Sequence, residues 1–253
     1  MTMQFLIGTS GWTYDHWKGS FYPADLAKSR WFDYYAAQYP AVEVNATFYR
    51  TFADQTYLKW RERAPAGFTY VLKAPRFITH RKYLADAGDE IRAFWRSASL
   101  LEDKLGLILL QVAPATPFDL ERLRQALLAF GDPRRVAVEF RRKDWLNDQT
   151  VTLLRDCGAA FVSVDSPRVR PVDWVTSQVG YLRLHGRSHW YSHDYTPAEL
   201  DEIAETARHM AANGAKMVYI FFNNDFEGYA PRNALALMTR LPGPACTGRR
   251  TPL

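Results

Sequence analysis

Short apolar runs recur eight times along the chain, and the polar residues in each run fall on alternate positions near its C-terminal end. The runs span residues 5–10, 42–45, 68–73, 107–111, 136–141, 161–165, 181–185 and 217–223. Side chains alternate between the two faces of a strand, so this pattern assigns the polar residues to one face and Val, Leu and Phe to the other. Segments with helical periodicity separate the runs. The order predicts parallel strands covered by helices, and eight such units close a single (β/α)8 TIM barrel.

An open doubly wound sheet is the competing architecture. Its central strands would need apolar residues on both faces, whereas here one face carries Glu, Arg, Asp and His. The barrel is therefore the predicted fold. After Asp165 two prolines leave little room for a helix, so the sixth crossover is predicted to lack a full one.

Several helix ends are legible in the sequence. Thr116, followed by Pro117, is typical of an N-cap with proline at the first helical position. Thr196 with Glu199 forms a capping-box pattern. Glycines just before strands are predicted to be left-handed helix-terminating residues, and these are Gly106, Gly131, Gly158 and Gly214.

Length and composition favour one intracellular domain. The 253 residues suit a single barrel over residues 1–241, with 242–253 as an extended or disordered tail. No apolar run approaches the roughly 20 residues of a membrane span, and no targeting segment is visible, so a soluble, cytoplasmic protein is expected. The two cysteines form no disulfide framework. A net charge of +5 permits an anionic partner without demanding one.

Polar residues on the inward face gather where the strands end, which in this fold is the functional mouth. Buried charges are costly unless paired, so some must be partners of one another. Acidic and basic groups nearly balance, which favours a salt-bridge network that holds arginines toward an incoming anion. The predicted mouth residues are Glu43, Asn45, Lys73, Gln111, Glu139, Arg141, Asp165, Arg183, His185 and Asn223.

A metal site is the alternative use of the same groups. Glu139, Asp165 and His185 end consecutive strands and are ligand types that zinc or oxygen-preferring ions accept. Neighbouring arginines would compete for those carboxylates, so no metal is predicted. The sequence contains no GxGxxG opening a helix, no Walker loop and no GxSxG, which leaves nucleotide cofactors and a serine nucleophile unsupported.

Two loops at the predicted mouth carry further candidates. The first loop, from Ser10 to Pro23, is rich in aromatics and glycine, which suits either a lid over a flat ligand or a packed surface loop. The third loop, from Lys73 to Lys82, is strongly basic and includes His80. A solvated basic face and a phosphate contact are both compatible with that charge.

Motifs spread from the first predicted strand to the last resemble those of the YecE-like family. They include Gly8-Thr9-Ser10-Gly11-Trp12, the run from Val42 to Tyr49, Val138-Glu139-Phe140-Arg141, and Leu182-Arg183-Leu184-His185-Gly186. The resemblance implies a TIM barrel of unknown activity (domain of unknown function 72). Some members have been suggested to resemble endonuclease IV, but this sequence lacks a His-rich multi-zinc pattern.

These observations lead to a functional hypothesis with two alternatives. The chain is predicted to be an enzyme, a hydrolase or lyase, that applies acid/base chemistry to a phosphorylated or nucleic-acid-derived substrate without a bound cofactor. The alternatives are a non-catalytic protein that binds single-stranded nucleic acid or another anion, and a metal-dependent phosphodiesterase like endonuclease IV. The predicted catalytic residues are Glu139, His185 and Asp165, and the predicted substrate-binding residues are Lys73, Arg141, Arg183, Asn45, Gln111, Asn223, Asn224, Trp12, Tyr49, Trp145 and His80.

Overall fold

Eight parallel strands form a closed barrel in the computed structural model, which describes residues 3–241. Each strand pairs with its neighbours in sequence, and β1 closes the sheet against β8. The predicted (β/α)8 barrel is confirmed. The strands are β1 Gln4–Ser10, β2 Ala41–Val44, β3 Thr69–Lys73, β4 Leu105–Val112, β5 Val136–Phe140, β6 Ala160–Asp165, β7 Val179–Leu184 and β8 Met217–Phe222.

Helices surround this barrel. Among the described residues they are α1 Trp31–Gln38, α2 Ala46–Tyr49, α3 Asp54–Arg63, α4 Gly88–Ala98, α5 Leu120–Ala129, α6 Asp148–Cys157, α7 Pro197–Ala212 and α8 Tyr229–Met238. A single π-helical turn, Phe77–Arg81, follows β3. No helix lies between β6 and β7, a stretch that is described throughout, so the prediction for the sixth crossover is confirmed. The predicted tail, 242–253, lies outside the described residues.

The apolar side chains form two layers, one inside the barrel and one between the strands and the helices. The inner layer includes Leu6, Val71, Leu109, Val162 and Phe221. The larger outer layer packs the other strand face against the helices. No helix in the described part of the chain is long and apolar enough to cross a membrane.

Strand β6 departs from the predicted orientation. Its inward residues are Val162 and Val164, which the β6–β7 register places beside the inward Tyr181 and Arg183. Asp165 therefore faces outward, contrary to the sequence prediction. In β6 the side that faces the helices is partly polar and the inward side is apolar, the reverse of the other strands. The sequence pattern alone does not show which side of a strand faces inward.

Helix ends were predicted with mixed success. Asp119, not Thr116, caps α5, because its carboxylate accepts the backbone N–H of Arg122 at 2.9 Å. The capping box of Thr196 and Glu199 is confirmed.

Two of the four glycines, Gly158 and Gly214, have the expected positive φ. The prediction was wrong for Gly106 and Gly131. Gly106 lies within β4, where a Cβ would stand 2.6 Å from the hydroxyl of Tyr219. A close approach, rather than a left-handed backbone, accounts for glycine at this position.

Candidate functional site

Glu43 of β2 anchors one end of a buried ion-pair network inside the barrel. It is fully buried and accepts Nε and Nη2 of Arg183 at 2.9 and 2.7 Å. The hydroxyls of Ser10 and Tyr181 donate to the same carboxylate at 2.8 and 2.7 Å. Four donors thus occupy both oxygens, which is the condition under which a buried carboxylate is tolerated.

Glu139 of β5 anchors the other end. Its carboxylate accepts hydrogen bonds from Nη1 of Arg183 and, at 2.9 Å, from the amide of Gln111, and it forms an ion pair with Nε of Arg141. Burial alone would raise its pKa, but the guanidinium groups of Arg183 and Arg141 outweigh burial and hold the pKa of Glu139 well below its usual range. Glu139 is therefore ionised at neutral pH.

His185, just after β7, is nearly fully buried between two polar side chains. Nη2 of Arg141 lies 3.2 Å from its Nε2, and the Asn223 amide lies 2.9 Å from its Nδ1. A guanidinium can only donate, so Nε2 is the acceptor in that contact and carries no proton. Burial, together with the Arg183 charge, lowers the pKa of His185 well below its ordinary value. The imidazole is thus neutral.

Lys73, the last residue of β3, differs from the other charges of the mouth. It is 8 % exposed, and within residues 3–241 its ammonium has no carboxylate within ion-pair distance. Nζ lies 4.2 Å from the ring centroid of Phe48 instead. Burial, and then the Arg183 charge, lower the pKa of Lys73 to about 8.

Two further predicted residues, Asn45 and His80, lie close to Lys73, and a third, Tyr49, ends the helix that follows β2. The β2–β3 register pairs Val44 with Leu72, so Asn45 occupies the next position beside Lys73. The Asn45 Oδ1 atom is buried and has no hydrogen-bond partner in the described part of the chain. His80 contacts Phe48 edge-on at 5.1 Å, and burial followed by the Lys73 charge lowers its pKa. Tyr49 is 70 % exposed.

Not all predicted site residues reach the mouth. Asp165 points to the outer side of the barrel, where Arg187 donates to it at 2.9 Å. Trp145 is 1 % exposed and stacks on Phe140, so it offers no surface to a ligand. Asn224 is buried outside the barrel, where its amide donates to the His193 carbonyl.

Two other predicted contacts take different positions from those expected. The Trp12 ring packs edge-on against Phe32 and Trp60 of the outer helices. Arg183 is 1 % exposed and spends its guanidinium on Glu43 and Glu139, so it cannot meet an anion directly. Its structural effect is to neutralise the two carboxylates.

The three proposed metal ligands are not brought together, because Asp165 lies on the opposite face from Glu139 and His185. Within residues 3–241 no group of three or more His, Cys, Asp or Glu side chains is placed to hold a metal ion.

The structure adds residues that the sequence reasoning missed. Tyr181 shares its strand face with Arg183, so alternation alone could have identified it. Phe48 gave no such signal, because it lies on a one-turn helix. Trp190 lies in the loop from His185 to His193, where the sequence places histidines and aromatics together at the mouth. The Trp190 ring stands 5.8 Å from the Arg141 guanidinium and 5.6 Å from the His185 ring.

The charges deep in the mouth therefore neutralise one another, whereas positive charge remains beside them. Two carboxylates, Glu43 and Glu139, face two guanidiniums, Arg183 and Arg141, and cancel. Lys73 remains as a positive charge without an acidic partner among the described residues. The side chain of Arg141 is 20 % exposed and makes no hydrogen bond through Nη1 within that part of the chain. The exposed end of the network can thus accept a negative group.

The chain is similar in sequence to a known protein family and to a curated protein. The model of the family described as "Protein of unknown function DUF72" matches residues 6–251. UPF0759 protein YunF of Bacillus subtilis is 26 % identical, over 93 % of this chain and 94 % of its own.

Solved structures agree with these matches. A DUF72 family protein from Thermotoga maritima is 28 % identical and superposes with a TM-score of 0.85, over 94 % of this chain and 99 % of that one. A DUF72 family protein from Enterococcus faecalis, 22 % identical, gives a TM-score of 0.80 over 94 % and 95 % of the two chains. The second likeness supports the fold alone.

Proposed function

The chain belongs to the DUF72 family, and from its mouth we propose that it is an enzyme acting on a small anionic substrate. The observation that carries the proposal is the ammonium of Lys73, nearly buried and without a carboxylate partner among the described residues, beside a network whose own charges cancel. A buried cation in that condition is unfavourable until an anion arrives. A phosphate or carboxylate group of a substrate would provide it.

The residues around the Lys73 ammonium suit recognition of such a group. Lys73 and Arg141 supply positive charge, while Asn45, Gln111 and Asn223 supply amides around it. Trp190 covers the Arg141 side of the mouth. The buried members, Glu43, Glu139 and Arg183, hold these groups in place without touching the ligand.

The proposed enzyme also transfers protons, and the titratable residues of the mouth divide into those that position other groups and those that exchange protons. Glu139 is ionised, buried and bound to three donors, which favours a positioning role over that of an acid. His185 is neutral and linked through Arg141 to the same network. Lys73 and His80, whose pKa values are lowered and which form no ion pair in the described chain, are better suited to exchange protons with a substrate.

Binding of inorganic phosphate and of acetate, measured by calorimetry at constant ionic strength, tests the anion site. We expect Lys73→Met and Arg141→Met each to weaken binding roughly tenfold or more, since hydrogen bonds to charged groups contribute about 1.5–3 kcal/mol. Matched controls are Lys104→Met, which removes a second buried lysine, and Arg142→Met, which removes the neighbouring exposed arginine. Equal losses in the control variants, or no binding by the native protein, would overturn the proposal.

A single-stranded nucleic-acid ligand is the second candidate, favoured by the rim of the mouth. Arg50, Arg76 and Arg81 have no carboxylate partner in the described chain. The exposed rings of Tyr49 and Phe77 lie on the same two segments, which follow β2 and β3. Alternating arginines and exposed rings are typical of surfaces that stack bases and contact phosphates.

Filter binding of a fluorescent oligonucleotide at a series of salt concentrations separates the two candidates. A nucleic-acid site requires affinity that falls steeply with salt and is reduced by Tyr49→Ala and Arg81→Gln, because counterions are released on binding. Affinity that does not change with salt would exclude this second candidate.

A further inference from the structure

A lysine acts as a nucleophile only through its uncharged amine, so an ordinary exposed lysine is nearly inert at neutral pH. Two environments increase the uncharged fraction: burial beside apolar groups, and neighbouring positive charges. Both occur at the end of β3. Nζ of Lys73 lies over the Phe48 ring, and Arg183 and Arg141 are the cations that disfavour its protonated form.

Lys104 shows that this environment is not general for buried lysines of the chain. It is 9 % exposed, close to the 8 % of Lys73. Its Nζ donates to the Pro65 carbonyl at 3.0 Å and lies 3.3 Å from the Asp103 carboxylate. Those oxygens contact the ammonium directly. Within residues 3–241 no oxygen makes a hydrogen bond or ion pair with the Lys73 ammonium, and the Glu139 and Glu43 carboxylates favour its charge only from a greater distance.

The backbone holds Lys73 in place at the strand end. The hydroxyl of Thr47, on α2, donates to the Lys73 carbonyl at 2.7 Å and to the Val44 carbonyl at 3.0 Å. This joins the ends of β2 and β3. The amine therefore projects from a rigid element at the catalytic end of the barrel, which is where such a group needs to be positioned.

We propose that Lys73 is the amine nucleophile of the mouth and forms an imine with a carbonyl compound that also carries a negatively charged group. That the substrate carries a negative charge rests on the proposed function, and Arg141 would pair with that charge. The imine part depends only on Lys73 and its surroundings.

The step balances without an oxidant or a cofactor. The uncharged Nζ attacks the carbonyl carbon, a C–N bond forms, and the carbonyl oxygen takes up a proton as nitrogen releases one. The resulting carbinolamine takes one proton from solvent onto its hydroxyl and expels it as water, and the nitrogen lone pair forms the C=N bond of a protonated imine. Asn45 Oδ1, buried beside Lys73 and without a partner among the described residues, is a ready acceptor for the N–H or hydroxyl of that carbinolamine.

The protonated imine then withdraws electrons from a bond next to the former carbonyl carbon. Cleavage or proton loss at that bond is the reaction it makes possible. This is lyase or isomerase chemistry. Side chains of the mouth would donate and accept the protons that it requires.

Reductive trapping tests the inference on the native chain. The probes are pyruvate and hydroxyacetone, a charged and an uncharged ketone of similar size, each with sodium cyanoborohydride, followed by peptide mass spectrometry. We expect pyruvate to label Lys73 at least tenfold faster than the buried Lys104 or the exposed Lys59. Trace acetylation at a series of pH values should give Lys73 a midpoint near 8.

The two ketones separate the inference from the proposed function. Preferential labelling of Lys73 by pyruvate supports both, and loss of that preference in Arg141→Met identifies Arg141 as the partner of the charged group. Equal labelling by both ketones supports the nucleophile and counts against the anion site. Absence of any Lys73 adduct, in a protein that still binds phosphate through Arg141, overturns the imine inference and leaves the proposed function standing.

Discussion

Lys73 is the residue at which stability and function are in conflict. Most charged side chains of the mouth neutralise one another, but this ammonium is nearly buried against an aromatic ring. Its folded-state pKa, about 8, lies below the ordinary value of 10.5. The protonated form is therefore less stable in the folded than in the unfolded chain, and the difference destabilises the protein at neutral pH.

Replacing Lys73 with Met should consequently stabilise the protein. The destabilisation is fully present below about pH 8, and it disappears as the pH rises through the unfolded value of 10.5. We expect Lys73→Met to raise the free energy of unfolding by about 1–3 kcal/mol at pH 7, with a smaller gain at pH 9.5. Urea titrations at both pH values measure it. A variant less stable than the native chain at pH 7 would contradict the account of Lys73.

Arg183, unlike Lys73, is a buried charge that stabilises the fold, because its removal would leave two buried carboxylates without a positive charge between them. It neutralises Glu43 and Glu139 together. Arg183→Met should lower the free energy of unfolding by about 3–5 kcal/mol, because breaking a buried pair leaves uncompensated charge. Urea unfolding at pH 7 measures the loss. Arg208→Met, which breaks an exposed pair with Glu205, is the control and should change little.

At the scale of elements, the strand and helix ends decide where side chains point. The barrel gathers the mouth residues because β2, β3, β4, β5 and β7 end at the same level and present alternate residues inward. Strand β6 presents valines there instead, and Asp165 joins the outer layer. The sixth crossover has no helix, so Thr176 satisfies the start of β6 by accepting the Phe161 N–H and donating to the Ala159 carbonyl.

The start of α5 offers a test of element boundaries. If Asp119 is the N-cap, Asp119→Ala should lower the free energy of unfolding by about 1 kcal/mol and Asp119→Asn should change it little. Thr116→Val should be nearly neutral, because the Thr116 hydroxyl has no hydrogen-bond partner in the described chain. Thermal unfolding by circular dichroism gives the comparison. The reverse order of effects would restore Thr116 as the cap.

For the whole molecule, closure of the barrel makes every strand depend on two neighbours. Strand β1 pairs with both β2 and β8, so the first and last thirds of the chain share one sheet. A single apolar layer between strands and helices continues around the barrel. The arrangement favours unfolding as one unit.

We therefore expect one coincident transition when urea unfolding is followed by circular dichroism and by tryptophan fluorescence. Trp17 and Trp145 are buried on different sides of the outer layer, so their fluorescence reports on separate parts of the molecule. Two transitions, or midpoints that differ between the probes, would contradict the single-domain prediction for residues 1–241.

The pattern of apolar and polar positions was enough to predict the architecture and most of the inward polar groups. Alternation is a local property of a strand, so Glu43, Lys73, Gln111, Glu139, Arg141, Arg183 and His185 could be assigned to one face without knowing their neighbours. The balance of acidic and basic groups on that face also predicted the ion-pair network.

Which of these groups remain available to a ligand depends on contacts between distant parts of the chain. Which strand phase faces inward at β6, and so whether Asp165 joins the mouth, depends on its pairing with β7. The Arg183 guanidinium pairs with Glu43 and Glu139, whereas Lys73 has no acidic partner in the described chain. This difference depends on distances across the barrel, between strands far apart in the chain. Local patterns specify a face, but charge pairing is a property of three-dimensional distance, and it is this pairing that singles out Lys73.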